Sequence, residues 1–430
     1  MYIKSVKFTN LRCFKVGELD FRYPGDGKAL PDGVPNLDNV NVILGVNGAG
    51  KTTALKAVAL TLLGQLPSTG FVPDFLVRYQ AGQGNQSIGD FEYKEAIMYA
   101  QIEVEETQER EALPLQRFGA KIGRTGQREE LFSLSGITSE FKILYDDETS
   151  DFFMAAYGAT RRTETGDFDA SSRRKSRSGR YERIAGLFED HLAMIPFEYW
   201  FSRLFLGRTK EIILFAKHLL PNGLTLLGLD ERKEQNRRML FEQDGVPIPF
   251  QALSDGYRSY IGWVTDLLYH MHIVSGKKPL KNLTGVVMID EIDLHVHPSW
   301  QKTIVSQVAK AFPNLQFIFT THSPIVAGSV SSENLWITKI APDGSSILER
   351  PHTEIYGLSA DQILTSDIFG LESTRAEGFL QEMNLLEQKA IRGDEVAALA
   401  LMRGMARGKG AVTPKEPPAW VKQASKRKKS

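Results

Sequence analysis

Gly45-Val46-Asn47-Gly48-Ala49-Gly50-Lys51-Thr52 decides the reading of this chain. It fits the pattern Gly-x-x-x-x-Gly-Lys-Ser/Thr in full. Glycines at these positions let successive backbone N–H groups curl around phosphate oxygens with no Cβ in the way. The flanking residues supply the context the pattern needs. Residues 40–44 form a short apolar run between turn residues, as expected of a buried parallel strand. Residues 52–63 carry apolar side chains at helical spacing, so a helix would start at the anion and present its positive dipole end. Lys51 is expected to reach the β- and γ-phosphates of a nucleotide and Thr52 to ligate Mg²⁺. Gly45, Asn47, Gly48, Gly50 and Thr53 complete the expected nucleotide-binding set.

Two further strands of the same build lie downstream. Gly285-Val286-Val287-Met288-Ile289-Asp290-Glu291 is an apolar run that ends in adjacent acids. Strand alternation would turn the two carboxylates different ways. Separate duties follow: Asp290 in a metal shell, Glu291 polarising an attacking water. Phe317-Ile318-Phe319-Thr320-Thr321-His322 delivers a histidine to the carboxyl end of a strand, where open α/β sheets bind ligands. His322 is therefore placed to hydrogen-bond a γ-phosphate or the water. Leu253-Ser254-Asp255-Gly256-Tyr257-Arg258-Ser259 opens a helix, with Ser254 suited to capping it. The same exposed terminus, with the Gly256 N–H, also suits a phosphate. Taken singly these are surface acids, a structural histidine and an ordinary cap; beside residues 45–52 they read as one nucleotide site. His295, His297 and His322 raise a zinc reading as well, weakened by a helical start at Leu294 that would splay the first two.

The 430-residue chain is 42% hydrophobic and 24% charged, ample for two or three domain-sized units. Lys+Arg and Asp+Glu both number 52, so any taste for nucleic acid must come from local patches. A single cysteine, Cys13, excludes an intramolecular disulfide and fits a reducing, cytoplasmic setting. No apolar run is long enough to span a membrane, and the N-terminus lacks a secretory h-region. Strands alternating with helices predict an α/β fold with a mainly parallel sheet, added antiparallel strands near 96–105 and 141–156, and a 335–350 hairpin turning at Pro342-Asp343-Gly344. The expected division is 1–110 and 251–350 for the two parts of one head, 111–250 for an inserted lobe, and 351–430 for a helical extension with a disordered basic tail. A single helix is expected over 294–312. Arg173, Arg174, Lys175, Arg177, Arg180 and Arg183 mark 164–183 as a mobile basic loop. Residues 172–183 and 422–429 are candidate grips for double-stranded DNA, with solvated charge the more ordinary explanation.

Together these segments resemble the ABC-type P-loop ATPases of the SMC, RecF and overcoming-lysogenization-defect group, and in particular the small AAA-family ATP-binding proteins of bacterial defence and mobile islands. The resemblance rests, in order, on LRCF, GVNGAGKTT, YGATRR at 157–162, LSDGYRS, MIDEIDLHVHPSWQ, TTHSP and GLSADQILTSDIFGLES at 357–373. It implies an ABC-type head that binds and hydrolyses ATP with Mg²⁺ and pairs as a homodimer or higher homo-oligomer. ATP would lie between Lys51 of one subunit and Ser254 and Gly256 of the other. Glu291 and His322 would be catalytic, His295 and His297 would lie in the dimer-contact loop, and Arg12 would approach the nucleotide. Asp255 departs from the second glycine of the transporter signature LSGGQ, and a carboxylate there needs a cation to face. The implied function is an ATP-driven switch coupled to double-stranded DNA or to a partner effector such as a nuclease, in antiviral defence. No Asp-x-Asp pair follows His322, so the TOPRIM nuclease of the lysogenization-defect branch is not expected in this chain. A non-catalytic ATP-binding scaffold that controls a toxin or nuclease is a competing reading. A transporter's nucleotide-binding subunit is another, opposed by Asp255 and the long insertion.

Overall fold

The computed structural model describes residues 1–63, 76–78, 95–104, 113–125, 128–134, 152–163, 179–204, 208–221, 223–229, 238–276 and 278–405. They belong to two compact units, Met1–Phe369 and Gly370–Ser430.

The strands of the first unit, in chain order, are β1 (Tyr2–Leu11), β2 (Phe14–Asp20), β3 (Val40–Gly45), β4 (Glu95–Val104), β5 (Leu113–Thr125), β6 (Arg128–Ser133), β7 (Phe153–Tyr157) and β8 (Arg162–Thr163). They continue as β9 (Ala193–Met194), β10 (Leu224–Leu229), β11 (Met239–Gln243), β12 (Val246–Pro249), β13 (Gly285–Ile289), β14 (Leu315–Thr321), β15 (Leu335–Ile340) and β16 (Ser346–Glu349). Its helices are α1 (Lys51–Leu63), α2 (Gly179–Ile184), α3 (Phe197–Leu204), α4 (Thr209–Leu219), α5 (Asp255–Ser275), α6 (Pro298–Gln301), α7 (Ile304–Ala311), α8 (Pro324–Ala327) and α9 (Ala360–Leu364).

Among the described residues one sheet dominates, in the order β6-β5-β4-β1-β2-β16-β15-β3-β14-β13-β7. Its two halves follow different rules. From β15 to β7 every neighbour runs parallel, and these strands are apolar on both sides, as expected where helices cover both faces. From β6 to β2 every pair is antiparallel. The period-2 alternation sorts the parallel strands between two cores. Val42, Leu44, Val287, Ile289, Phe317 and Phe319 face the core that includes Trp263 of α5. Ile43, Val286, Met288 and Ile318 face the one that includes Leu55 and Val58 of α1. The phosphate-loop helix and the helix opened by LSDG therefore sit on opposite faces of one sheet.

The 335–350 hairpin forms as expected, β15 against β16 across a turn with Gly344 at φ 76°. Of residues 111–250, β5, β6 and β7 join the main sheet, whereas β10, β11 and β12 make a separate three-stranded sheet. The single helix expected over 294–312 is broken. Glu291 and His295 adopt left-handed backbone (φ 48° and 62°), and only at Pro298 does the short α6 begin, followed by α7. The expected basic loop also needs correction where it is described. Gly179–Ile184 is helical, and Arg180 and Arg183 are buried, Arg183 donating its Nε–H to the Met154 carbonyl. Residues 164–178 and the basic tail lie outside the described residues.

In the second unit, α10 (Glu377–Ile391) and α11 (Glu395–Met405) pack on each other around Met383, with Gly393 at φ 88° in the link. Gly404 lets them approach: a Cβ there would run into the Met383 thioether. Among the described residues, no helix is long and apolar enough to cross a membrane.

Candidate nucleotide site

The loop between β3 and α1 takes the shape its glycines permit. Gly48 and Gly50 have φ of 81° and 99°, where a side chain is strained. At Gly50 space is also closed: a Cβ would lie 2.5 Å from the Phe14 ring and 2.7 Å from Cys13 Sγ. At Gly45 a Cβ would strike Thr338 of the neighbouring strand. Asn47 is exposed on the crest and Thr53 is buried beneath it. Lys51, 6% exposed, donates from Nζ to the carbonyls of Gly45 (2.8 Å) and Val46 (3.2 Å). Burial pulls its pKa down, and the carboxylates of Glu291, Asp290 and Asp293 pull it back up. That attraction places all three acids within electrostatic reach of the loop lysine.

Parallel pairing of β3, β14 and β13 brings the acids there. Thr52 Oγ1 donates to Asp290 Oδ2 at 2.7 Å, joining residues 238 positions apart. Thr320 Oγ1 donates to Asp290 Oδ1 and accepts from the Glu291 N–H at 2.8 Å. Asp290 is thus buried and held on both oxygens, while Glu291 remains half-exposed. Strand alternation is not what separates the two acids, because β13 ends at Ile289 and the left-handed turn at Glu291 does so. A hydroxyl and a carboxylate side by side at the start of α1 are hard oxygen donors of the kind Mg²⁺ takes, with phosphate oxygens completing its shell. The donor set and the glycine cradle fit a Mg²⁺–nucleotide.

His322 follows β14 and is about half exposed, with Nε2 3.6 Å from Asp293 Oδ2. Asp293 is buried and accepts from Thr321 Oγ1 at 2.5 Å. The β1–β2 turn that carries Arg12 (φ 45°) reaches the loop through the Phe14 and Cys13 contacts with Gly50. Arg12 also lies close enough to Lys56 in α1 to help lower that lysine's pKa, after burial itself.

Ser254 and Gly256 are elsewhere. Ser254 caps α5, accepting from the Tyr257 N–H, and is exposed. Gly256 lies against the His295 carbonyl, where a Cβ would collide. No hydrogen bond among the described residues links either to 45–52. Asp255 has the cation it needs: Arg258 Nη2 donates to its Oδ1. His297 is engaged with Ser299, and among the described residues no three His, Cys, Asp or Glu side chains gather as a metal site would require.

Three contributors lay beyond sequence reasoning. Thr320 and Thr321 orient the acids, and Arg161 donates from Nη2 to the Glu291 carbonyl at 2.6 Å. The doubled threonine before His322 was the available signal for the first two, and YGATRR for the third.

Residues 40–327 match the family described as "AAA domain, putative AbiEii toxin, Type IV TA system". The chain is 38% identical over 103 residues to the Retron Ec83 probable ATPase of Escherichia coli, covering 24% of this chain and 19% of that protein. It is 24% identical over 375 residues to the Septu protein PtuA of Bacillus mycoides, covering 87% of this chain and 45% of that one. Its matches thus span less than half of those relatives' length. The SMC head domain from Thermotoga maritima aligns over 82% of this chain and 100% of its own, with 14% identity and a TM-score of 0.42.

Proposed function

We propose that this chain, which belongs to the AAA-domain family matched over residues 40–327, is an ATP-hydrolysing switch whose heads pair around the nucleotide. Its fold is that of an ABC-type P-loop head. The observation that carries the proposal is the Thr52–Asp290–Thr320–Glu291 network, which ties the phosphate loop to the acidic strand. Lys51 and the N–H groups of 45–52 bind the phosphates, and Thr52 and Asp290 hold Mg²⁺. Held there, Mg²⁺ would supply neutralisation of the charge on the phosphates. Glu291, free of the Asp290 clamp, orients the water and takes its proton. His322, steadied by Asp293, donates to the γ-phosphate.

Ser254 caps an exposed helix end whose first turn includes Gly256, and among the described residues no hydrogen bond joins either to their own phosphate loop, which supports contact with the nucleotide of a second copy. Closure then draws on the nucleotide's extra contacts in the paired state. The likeness to retron and Septu proteins supports a partner effector, and antiviral defence in the cytoplasm is the setting we assign. Double-stranded DNA is the other candidate partner. With Arg180 and Arg183 buried, a DNA grip would fall to the remaining basic residues.

The test is ATP hydrolysis by the purified protein with and without double-stranded DNA, with a Glu291→Gln control. Hydrolysis lost in the variant is the expected result. Stimulation by DNA would support the DNA-coupled form; indifference to DNA would sink it and leave a protein partner. ATP binding without hydrolysis in the unmodified protein would overturn the switch in favour of the scaffold.

A further inference from the structure

The end of β7 meets the acids from the side opposite β14. The Tyr157 carbonyl accepts the Asp290 N–H at 2.8 Å, in the parallel ladder that pairs β7 with β13. Four residues on, Arg161 adopts a left-handed φ of 27° and is 6% exposed. A non-glycine residue held there is strained and persists only where its surroundings enforce it. Its guanidinium is aimed at the acid turn, with Nη2 on the Glu291 carbonyl at 2.6 Å. Its Nε is buried with no hydrogen-bond partner among the described residues. Burial lowers the Arg161 pKa to about 10, against the opposing pull of Asp290, Asp293 and Glu291. A cation at such a cost is poor packing material, since an apolar side chain of similar volume would serve as well or better.

Both sides of the Glu291 peptide are gripped. Thr320 Oγ1 receives its N–H, and its carbonyl accepts from Arg161 and from the Leu294 N–H at 3.0 Å. Glu291 has its own left-handed φ of 48°. Among the described residues its carboxylate has no hydrogen-bond or ion-pair anchor, so the aim of that side chain depends on the backbone beneath it. We propose that Arg161 is a positioning residue for hydrolysis, fixing the Glu291 peptide so that its carboxylate stands at the attacking water. This rests on the proposed role of Glu291. Removing the guanidinium leaves the Leu294 bond in place, so the turn survives while the carboxylate loses its aim. A displacement of about 1 Å can cost on the order of a hundredfold in rate.

The experiment is a double-mutant cycle with a binding readout. Arg161→Met and Arg161→Lys are made alone and together with Glu291→Gln, and kcat for ATP and affinity for a fluorescent ATP analogue are measured. Arg161→Met is expected to lower kcat about tenfold to a hundredfold with analogue affinity within about twofold. Arg161→Lys, which keeps one donor, should recover part of the rate. Added to Glu291→Gln, Arg161→Met should cost nothing more, because a residue acting through another is non-additive with it. Equal losses in both backgrounds, or a loss of affinity with kcat intact, would overturn the proposal. Amide exchange over 285–296 gives a reading independent of turnover: it should quicken in Arg161→Met, and unchanged exchange overturns the hold on the peptide. If the unmodified protein fails to hydrolyse ATP, the reading of Glu291 fails, and this exchange result still decides the structural half.

Discussion

Asp290 and Glu291 are neighbours in sequence with opposite surroundings. One is sealed between two threonine hydroxyls and the other is half-exposed beside them. The contrast supports the separate roles we propose for them and makes those roles separately testable. Glu291→Gln should lower ATP turnover about a hundredfold to ten-thousandfold while nucleotide affinity holds, by steady-state hydrolysis and analogue titration. Thr320→Val should behave differently, because it strips a donor from a buried carboxylate and an acceptor from the Glu291 N–H at once. A loss of about 1–3 kcal/mol per orphaned group is expected in urea denaturation, together with slower turnover. At this scale the sequence was legible where chemistry is local. The glycines, Lys51 and Thr52 form one contiguous pattern, and the acids and His322 close apolar strands. Thr320 and Arg161 were not legible as partners, since their bonds cross 30 and 130 positions. Which side chains meet at such separations is fixed by strand order.

Elements show the same division between local and distant causes. The 335–350 hairpin was readable because Pro342-Asp343-Gly344 dictates its own turn, whereas the helix expected over 294–312 was not. Two left-handed residues break the chain before Pro298, and the first of them, Glu291, is held by Thr320 and Arg161 rather than by propensity. The end of the arginine-rich run, where it is described, misled for a related reason: Arg180 lies over the Phe152 ring, and Arg183 bonds a carbonyl. Beyond β2, a buried pair organises the loop that precedes β3. Arg22, fully buried, donates from Nε and Nη2 to the two oxygens of Asp26 at 2.8 and 2.9 Å. Burial alone would raise the Asp26 pKa, but the guanidinium outweighs it and holds the carboxyl below its ordinary range. A carboxylate so held stabilises the fold at neutral pH, and that contribution drains away below about pH 4, as pH falls through the folded value. Asp26→Asn should cost about 3 kcal/mol at pH 7, with the gap from the unmodified protein closing as the medium is acidified. Chemical denaturation at a series of pH values checks both.

At the scale of the molecule, one sheet carries the phosphate loop on one face and the LSDG helix on the other. Heads built this way are expected to pair only when ATP is present. Glu291→Gln should accumulate dimers with ATP in light scattering or size exclusion, and Lys51→Ala should remain monomeric. Gly256→Ala should bind nucleotide normally and fail to pair, because its methyl group would displace the loop at His295. Pairing detected without nucleotide would argue against the switch.

If the heads pair as proposed, the exposed cap at Ser254, which among the described residues has no hydrogen bond to its own phosphate loop, has a consequence for the protein's economy in the cell. A molecule that holds only the two unlike halves of a site is inert when dilute. Its output follows the number of encounters rather than the number of copies. In the sparse regime, halving the amount of protein should cut total turnover about fourfold by mass action. Abundance itself then acts as the threshold, and a cell can hold the system silent without any dedicated inhibitor.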